Sequence, residues 1–229
     1  MKAVITVIIP AFNEERSIGR VLAEIPSDLV AEILVVDNNS TDNTARVAAR
    51  NGATVLHETR QGYGSACLKG IDYIIHQNSW PDIVVFLDAD YSDYPEELGQ
   101  LVAPILTDDI DLVIGSRNTG QRQRGSMTPQ QIFGNWLATT LLRWLYGVRY
   151  TDLGPFRAIR FNKLLALNMR DTTYGWTVEM QLKAAKQGLL VREVPVRYRR
   201  RIGTSKISGT LKGTLFAGWK IIMTIFRYL

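Results

Sequence analysis

The sequence is poor in the residues that build disulfide-linked or zinc-binding proteins. Its 229 residues include a single cysteine, Cys67, and two histidines, which excludes an internal disulfide framework and leaves no cluster with zinc-ligand spacing. No apolar run approaches the roughly 20 residues of a membrane-spanning helix. The first residues, MKAVITVIIPAFNEE, reach acidic side chains too early for a signal peptide. From these absences we expect a cytoplasmic protein.

The charged residues are divided unequally between two halves of the chain. Residues 1–115 contain 7 Lys and Arg against 18 Asp and Glu, whereas residues 116–229 contain 20 against 4, for a net charge of +5. This pattern favours an anionic ligand that is held partly through a cation. Because no helix-turn-helix, zinc or RNA-binding signature is present, we expect phosphorylated small molecules or an anionic membrane surface as partners, and no nucleic acid.

The first half of the chain alternates between strand-like and helix-like patterns. Apolar runs such as AVITVIIPA and DIVVFLDAD are typical of buried strands, and segments such as NEERSIGRVLAEI have helical spacing. In the segment STDNTARVAARNG, Ser40 or Thr41 is expected to cap the helix. The alternation predicts an α/β fold with a mostly parallel sheet that is covered by helices on both faces.

Two aspartates, Asp88 and Asp90, stand at the end of one predicted strand. Alternate residues of an extended chain point the same way, so the two carboxylates can face one divalent cation. The alternative is a solvated turn after the strand. PAFNEE, VDNNS and GSR also follow predicted strands, and the carboxyl ends of parallel strands meet at one edge of a sheet. Four polar strand ends at one edge favour a ligand site.

These motifs, taken in order and together with GTSK at Gly203 to Lys206, resemble those of the inverting family 2 glycosyltransferases. The likeness is greatest to the branch that loads a sugar onto polyprenyl or dolichyl phosphate, such as the dolichyl-phosphate mannosyltransferases. It runs from Val4 to about Gly209 and implies a GT-A fold, a UDP- or GDP-linked sugar donor, and Mg²⁺ or Mn²⁺. On this basis we expect a glycosyltransferase domain at 1–209, with a donor half at 1–117 and an acceptor half at 118–209, and an amphipathic helix at 210–229.

The resemblance also implies roles for the residues at the strand ends. Asp37 would accept a hydrogen bond from the nucleotide base, although an Asx turn is the alternative. Asp88 and Asp90 would hold the metal, with Ser92, Asp93 or water as the third ligand. The residues expected to contact the nucleotide-sugar are Pro10, Ala11, Asn13, Glu14, Asp37, Asp88, Ala89 and Arg117.

The acceptor is expected to lie against the second half of the chain. Ser205 and Lys206 would bind its phosphate, and Asp152 matches an acid of the acceptor side. Glu179 lies in the region where many members of the family have a catalytic base, but a phosphate acceptor is already ionised, so Glu179 would then position and not deprotonate. The residues that we expect to be catalytic are Asp90, Arg117 and Glu179.

The last helical pattern, LKGTLFAGWKIIMTIFRYL, has apolar residues on one face and cations on another. A helix packed on the core and a helix lying on a membrane surface both fit this pattern. We favour the membrane, and expect a protein that is peripheral to its cytoplasmic face, because basic residues surround this helix and the earlier tryptophan-rich one. They are Arg143, Arg149, the run Arg199 to Arg201, Lys212, Lys220 and Arg227.

Two other functions stay open on the sequence alone. One is a glycosyltransferase with a soluble hydroxyl acceptor, for which Glu179 would be a true base. The other is a nucleotide-binding, membrane-docking protein without turnover. A nucleotidyltransferase is disfavoured because the Gly-rich N-terminal phosphate loop is missing.

Overall fold

The computed structural model describes residues 2–203 and 211–228, and within the last helix the side chains from residue 218 onward. Ser205 and Lys206 therefore lie outside the described residues. Seven strands are present in this part of the chain: β1 Ile5–Ala11, β2 Glu32–Asp37, β3 Thr54–His57, β4 Ile83–Phe86, β5 Leu112–Ser116, β6 Arg157–Arg160 and β7 Val191–Pro195.

Eight α-helices connect or follow these strands, together with a short 3-10 helix at Pro95–Glu97. No helix within the described ranges is long and apolar enough to cross a membrane. The helices are α1 Ile18–Glu24, α2 Thr44–Arg50, α3 Tyr63–Ile75, α4 Leu98–Thr107, α5 Pro129–Tyr146, α6 Phe161–Leu167, α7 Trp176–Lys186 and α8 Leu211–Arg227.

The strands form one sheet in the order β3-β2-β1-β4-β6-β5-β7. β6 runs antiparallel to both of its neighbours, β4 and β5, and the other adjacent pairs are parallel. The predicted α/β fold with a mostly parallel sheet is therefore confirmed. Because β1, β2 and β4 are parallel neighbours, their carboxyl ends lie side by side at one edge.

Alternation along the strands supplies a hydrophobic core on each face of the sheet. On one face Val7 and Ile9 of β1 pack in a cluster with Leu22 and Leu101 from α1 and α4. Ile8, between them in sequence, faces the opposite cluster, which includes residues of α3, α6 and α7. With both faces covered, β1, β2 and β4 are almost wholly apolar between their ends.

Two details differ from the sequence-based prediction. The N-cap of α2 is Asn43, not Ser40 or Thr41, because those two residues bond to Asn13 in the neighbouring strand-end loop. The helix α6 was not expected, since β6 ends at Arg160 and α6 begins at the next residue without a loop.

α5 is delimited by local signals that its sequence contains. The Thr128 hydroxyl accepts a hydrogen bond from the backbone N–H of Gln131, and the Thr128 backbone N–H donates to Gln131 Oε1, which together form a capping box. Pro129 occupies the first turn, where its missing N–H costs nothing. Gly147 ends the helix with a φ of 69°, in the left-handed region that glycine adopts without strain.

α8 packs against α5 and α7 in a third hydrophobic cluster. Leu142 of α5, Leu182 of α7 and Ile225 of α8 are fully buried there, and the Tyr146 hydroxyl donates to the Ile225 carbonyl. The inner face of α8 is therefore part of the protein core. Its outer face, with Met223 and Phe226, is exposed.

Candidate active site at the carboxyl ends of the strands

A cavity of about 340 Å³ opens at the edge where β1, β2 and β4 end. Residues from six separate segments line it, which is why no single motif defines it. Six of the residues predicted to bind the nucleotide-sugar or the metal are among them: Pro10, Ala11, Glu14, Asp88, Ala89 and Asp90. The remaining lining residues are Phe12, Asn38, Gln61, Gly62, Tyr63, Tyr174 and Arg201.

Asp88 and Asp90 stand just beyond the end of β4 and are not part of a solvated turn. Oδ1 of Asp88 is buried and has no hydrogen-bond partner among the described residues. Burial, together with the charge of Asp90, raises the pKa of Asp88 to about 7. Asp90 is 8% exposed, and its Oδ1 accepts from the Ser92 backbone N–H at 2.9 Å. The site thus places the carboxyl groups of Asp88 and Asp90 close together, which favours the binding of a cation.

The donor set suits Mg²⁺ or Mn²⁺ shared with a phosphate-bearing ligand. No group of three His, Cys, Asp or Glu side chains within the described ranges is placed to hold a metal by itself. Mg²⁺ commonly uses one or two protein carboxylates, with substrate phosphates and water completing its shell. An orphaned buried oxygen on Asp88 beside the Asp90 carboxylate fits this mode of binding.

The third ligand stays open, as it was in the sequence. The Ser92 hydroxyl donates to Asp90 Oδ1, so Ser92 orients that carboxylate whether or not it also touches a metal. Asp93 is 2% exposed, and neither of its carboxylate oxygens has a hydrogen-bond partner among the described residues. Burial, followed by the charges of Asp88 and Asp90, raises the pKa of Asp93 well above its usual range.

Arg201 reaches into the cavity, which the sequence did not reveal. Its guanidinium lies 3.1 Å from Asp90 Oδ2 and 2.7 Å from Glu14 Oε1. Its neighbour Arg199 pairs with Glu24 at 2.6 Å and stacks on the ring of Tyr91. Assigning the run Arg199 to Arg201 to a membrane surface was therefore wrong for these two residues. The signal in the sequence was the run of three consecutive arginines. In the structure, two of the three pair with buried or half-buried acids.

The loop after β1 and the loop after β2 are tied together by side-chain bonds. Asn13, with a φ of 53°, donates its backbone N–H to Ser40 and accepts from the Thr41 backbone N–H. Asp37 accepts from the Ser40 backbone N–H and lies 3.2 Å from His57 Nδ1. Asp37 thus bonds to the backbone N–H three residues on, not two as in an Asx turn, and its contact with a base stays a prediction.

Asn38 is a lining residue that the sequence reading missed. Its amide donates to the carbonyls of Glu58 and Arg60 and accepts from the Gly62 backbone N–H at 2.7 Å. These bonds fix the loop between β3 and α3 against the end of β2. The signal was the polar run VDNNS, in which only the aspartate had been assigned a role.

Arg117 and Asp152 form a buried, two-pronged ion pair. Nε and Nη2 of Arg117 lie 2.8 and 2.6 Å from the two Asp152 oxygens, and the guanidinium lies over the Tyr198 ring. Asp152 is fully buried, and its backbone N–H donates to Glu193. Neither Arg117 nor Asp152 is among the residues lining the cavity, so their predicted contacts with donor and acceptor phosphates stay predictions.

Glu179 is fully buried and satisfied by four partners. It accepts from the backbone N–H groups of Arg170 and Asp171, pairs with Lys183 at 2.7 Å, and accepts from the Tyr228 hydroxyl at 2.6 Å. It does not line the cavity. This placement favours the positioning role over the role of a base, because both carboxylate oxygens are engaged in holding other segments.

Comparison with known proteins extends this picture. The family described as Glycosyl transferase family 2 matches residues 6–167. An uncharacterized glycosyltransferase of Mycobacterium tuberculosis is 40% identical, covering 95% of this chain and 97% of that protein. The undecaprenyl-phosphate mannosyltransferase of Micrococcus luteus is 32% identical, covering 90% of this chain and 88% of that protein.

A solved structure with the same arrangement is the glucosyl-3-phosphoglycerate synthase of Mycobacterium tuberculosis in complex with Mn²⁺, UDP and glucosyl-3-phosphoglycerate. The TM-score is 0.79 at 25% identity, over 99% of this chain and 80% of that chain. The same enzyme has been crystallised with Mg²⁺ and UDP. The predicted GT-A fold is thereby confirmed.

Proposed function

Since the chain belongs to glycosyltransferase family 2 and is a hexosyltransferase, we propose that it transfers a hexose from a nucleotide-sugar to a polyprenyl phosphate at an anionic membrane surface. The observation that carries the membrane part is a set of exposed apolar side chains on α5 and α8, two helices that pack together, and we call this set the α5–α8 face. It consists of Ile132, Phe133, Trp136, Trp144, Leu145, Trp219, Met223 and Phe226.

The α5–α8 face has the chemistry of an interfacial surface. Trp144 is 79% exposed and Trp136 is 58% exposed, although water-facing helices seldom carry such residues in number. Arg143, Arg149 and Arg227 are exposed nearby, and neither α5 nor α8 contains an Asp or Glu. Aromatic and aliphatic side chains flanked by cations match the boundary of an anionic bilayer, where a lipid phosphate is found.

The donor site follows from the cavity. Pro10, Ala11 and Asn38 would contact the nucleoside, and Asp88 and Asp90 would hold Mg²⁺ or Mn²⁺ against its diphosphate. The cation supplies charge neutralisation for the departing nucleoside diphosphate. Arg201, 3.1 Å from Asp90, places a second positive charge beside the same group.

The acceptor chemistry agrees with a Glu179 that is engaged by four partners and does not line the cavity. A phosphate monoester is ionised near neutral pH, since its second pKa is about 6, so its oxygen attacks the anomeric carbon without prior deprotonation. Attack from the face opposite the diphosphate inverts the configuration at that carbon. The chain then has to align two anions, and the excess of basic residues after residue 116 suits that task.

A soluble, phosphorylated acceptor is the second candidate. It is favoured by the structural similarity to glucosyl-3-phosphoglycerate synthase, which has been crystallised in complex with UDP-glucose and phosphoglyceric acid. A polyprenyl phosphate and a phosphorylated small molecule share the phosphate but differ in which oxygen attacks and in the need for a membrane. The α5–α8 face is the feature that favours the lipid.

The experiment that tests the proposal is a matrix of donors and acceptors. Purified protein with Mn²⁺ is incubated with labelled UDP-glucose or GDP-mannose and with undecaprenyl phosphate in anionic vesicles or 3-phosphoglycerate in solution. We expect label in the organic phase with one donor and the lipid. Label only in the aqueous phase with 3-phosphoglycerate would replace the lipid acceptor by the soluble one.

A further inference from the structure

The 170–175 loop joins the donor cavity to the C-terminal helix. On one side Tyr174 lines the cavity. Ser65, at the start of α3, donates both its backbone N–H and its hydroxyl to the Thr172 carbonyl. The loop therefore shares bonds with the same stretch of α3 that places Gly62 and Tyr63 in the cavity wall.

The backbones of α3 and this loop are so close together that no Cβ atom fits between them. A Cβ on Gly64 would lie 2.0 Å from the Asp171 carbonyl oxygen, and one on Gly62 would lie 2.1 Å from that of Thr172. Two backbones are thus in direct contact. A shift of the loop must be passed to the first turn of α3, and from there to the cavity wall.

On its other side the loop is held by α7 and α8. Asp171 accepts from the backbone N–H groups of Thr173 and Gly175, and its second oxygen lies 3.3 Å from Nζ of Lys220 in α8. A Cβ on Gly175 would lie 2.5 Å from the Thr224 hydroxyl, so α8 also backs directly onto the end of the loop.

Glu179 supplies the second attachment. It accepts from two backbone N–H groups at the start of the loop, those of Arg170 and Asp171, and from the Tyr228 hydroxyl just after α8. Lys220 of α8 therefore contacts Asp171 of the loop, and Tyr228, just after α8, contacts Glu179 of α7, which in turn holds the start of the loop. Both acids are buried or nearly so, and this makes the geometry specific.

The same helix carries the exposed part of the α5–α8 face. Lys220 and Thr224, which touch the loop, directly follow Trp219 and Met223, which are exposed on the outside. A membrane that fixes the outer face of α8 also fixes the inner side chains that hold the loop. α8 thus has one face in contact with the loop and another on that surface.

We propose that Asp171 and Glu179 are positioning residues through which α8 sets the shape of the donor cavity, so that docking on an anionic membrane strengthens nucleotide binding. The inference rests on the proposed function, because it takes the α5–α8 face as the surface that docks. It goes further because the donor site would respond to the membrane. The nucleotide-sugar would then bind preferentially where the acceptor is present.

The test compares Lys220→Met with Arg227→Met. Both variants remove one cation from α8, but only Lys220 contacts the loop, whereas Arg227 is exposed. Affinity for UDP and GDP with Mn²⁺ is measured with phosphatidylglycerol vesicles, with phosphatidylcholine vesicles and without lipid. At saturating anionic vesicles, wild type and Arg227→Met should both bind the preferred nucleotide about fivefold more tightly than without lipid. Arg227→Met should need more vesicle to reach that gain, because it lacks one of the cations beside the α5–α8 face. Lys220→Met should bind more weakly and show no such gain.

Steady-state kinetics distinguish a positioning role of Lys220 from a general loss of stability, because the two change the donor KM and kcat differently. Lys220→Met should raise the KM for the donor while keeping kcat at saturating donor, and Lys220→Arg should restore the donor KM. If Lys220→Met does not fold, Tyr228→Phe removes only the bond to Glu179 and takes its place.

The outcomes separate this inference from the proposed function. Wild-type protein that sediments with anionic vesicles but binds nucleotide equally well with and without them overturns the inference alone. Wild-type protein that does not sediment with the vesicles overturns both. A Lys220→Met variant with the wild-type affinity and vesicle response would show that α8 does not act on the cavity.

Discussion

Arg201 and Asp90 form an ion pair inside the cavity, with Nη1 and Oδ2 3.1 Å apart. The guanidinium therefore occupies one oxygen of the aspartate that we assign to the metal. It also places a positive charge where a divalent cation would have to approach. Metal binding and the position of Arg201 must be linked, because both draw on the same carboxylate.

Arg201→Gln should bind Mn²⁺ more tightly than wild type when no nucleotide is present. The substitution frees the oxygen of Asp90 and removes the repulsion between two cations. Nucleotide binding should weaken in the same variant, since a charge beside the diphosphate is lost. Titration of Mn²⁺ followed by electron paramagnetic resonance measures the first effect, with Arg200→Gln as the control because Arg200 is exposed and bonded to the Arg124 carbonyl. Equal Mn²⁺ affinity in wild type and Arg201→Gln would refute the linkage.

Asp90→Asn should lower the rate of transfer by roughly two to three orders of magnitude, a loss typical of removing one electrostatic contact to the transition state. Metal-dependent nucleotide binding should disappear, while the fold is kept because the side chain lies outside the hydrophobic clusters. Isothermal titration of UDP and GDP with and without Mn²⁺, alongside circular dichroism, checks both statements. Turnover at the wild-type rate with saturating donor and metal would rule out the metal assignment.

Asp88→Asn should stabilise the protein in the presence of EDTA at pH 8. Burial and the charge of Asp90 raise the pKa of Asp88 to about 7, so between about pH 4 and pH 7 the unfolded chain loses this proton before the folded one. Stability therefore falls as the pH rises through this window, and asparagine removes that loss. Thermal unfolding should show a gain of about 3 °C or more at pH 8 and a smaller gain at pH 5. A lower melting temperature at pH 8 would contradict the assignment of an unpaired, buried charge.

The sequence predicted the parts of this protein that depend on local pattern. The strands were visible because β1 and β4 are buried on both faces, and Asp88 and Asp90 were visible because they follow β4 at an alternating spacing. Arg201 could not be placed, since its partner Glu14 is 187 residues away and a run of arginines reads equally well as surface charge. Glu179 was singled out as an isolated acid, but its partners, Tyr228 among them, come from segments that only the packing of α8 brings together.

Glu179→Gln should lower stability without changing how the rate depends on pH. Breaking a buried pair by removing one partner typically costs 3–5 kcal/mol, and Lys183 would lose its carboxylate partner. Because a phosphate acceptor needs no base, the pH profile of kcat should keep its wild-type shape. The profile is measured from pH 6 to 9 at a temperature where the variant is folded. A loss of several orders of magnitude that is rescued by raising the pH would instead identify Glu179 as the base for a hydroxyl acceptor.

Trp144→Ser should weaken binding to anionic vesicles, whereas Trp80→Ser should not. Both tryptophans are exposed, at 79% and 53%, so each substitution removes a large exposed aromatic side chain. Trp144 lies on the α5–α8 face, while Trp80 follows α3 and packs edge-to-face against Phe161.

Co-sedimentation with phosphatidylglycerol vesicles should also weaken as salt is raised, because exposed cations near an anionic surface contribute about 1 kcal/mol each and are screened by ions. Part of the binding should resist salt, since the aromatic side chains enter the interface by burial of apolar surface. If Trp80→Ser lowers binding as much as Trp144→Ser does, the attraction is a general property of the basic chain and the α5–α8 face is not the docking surface.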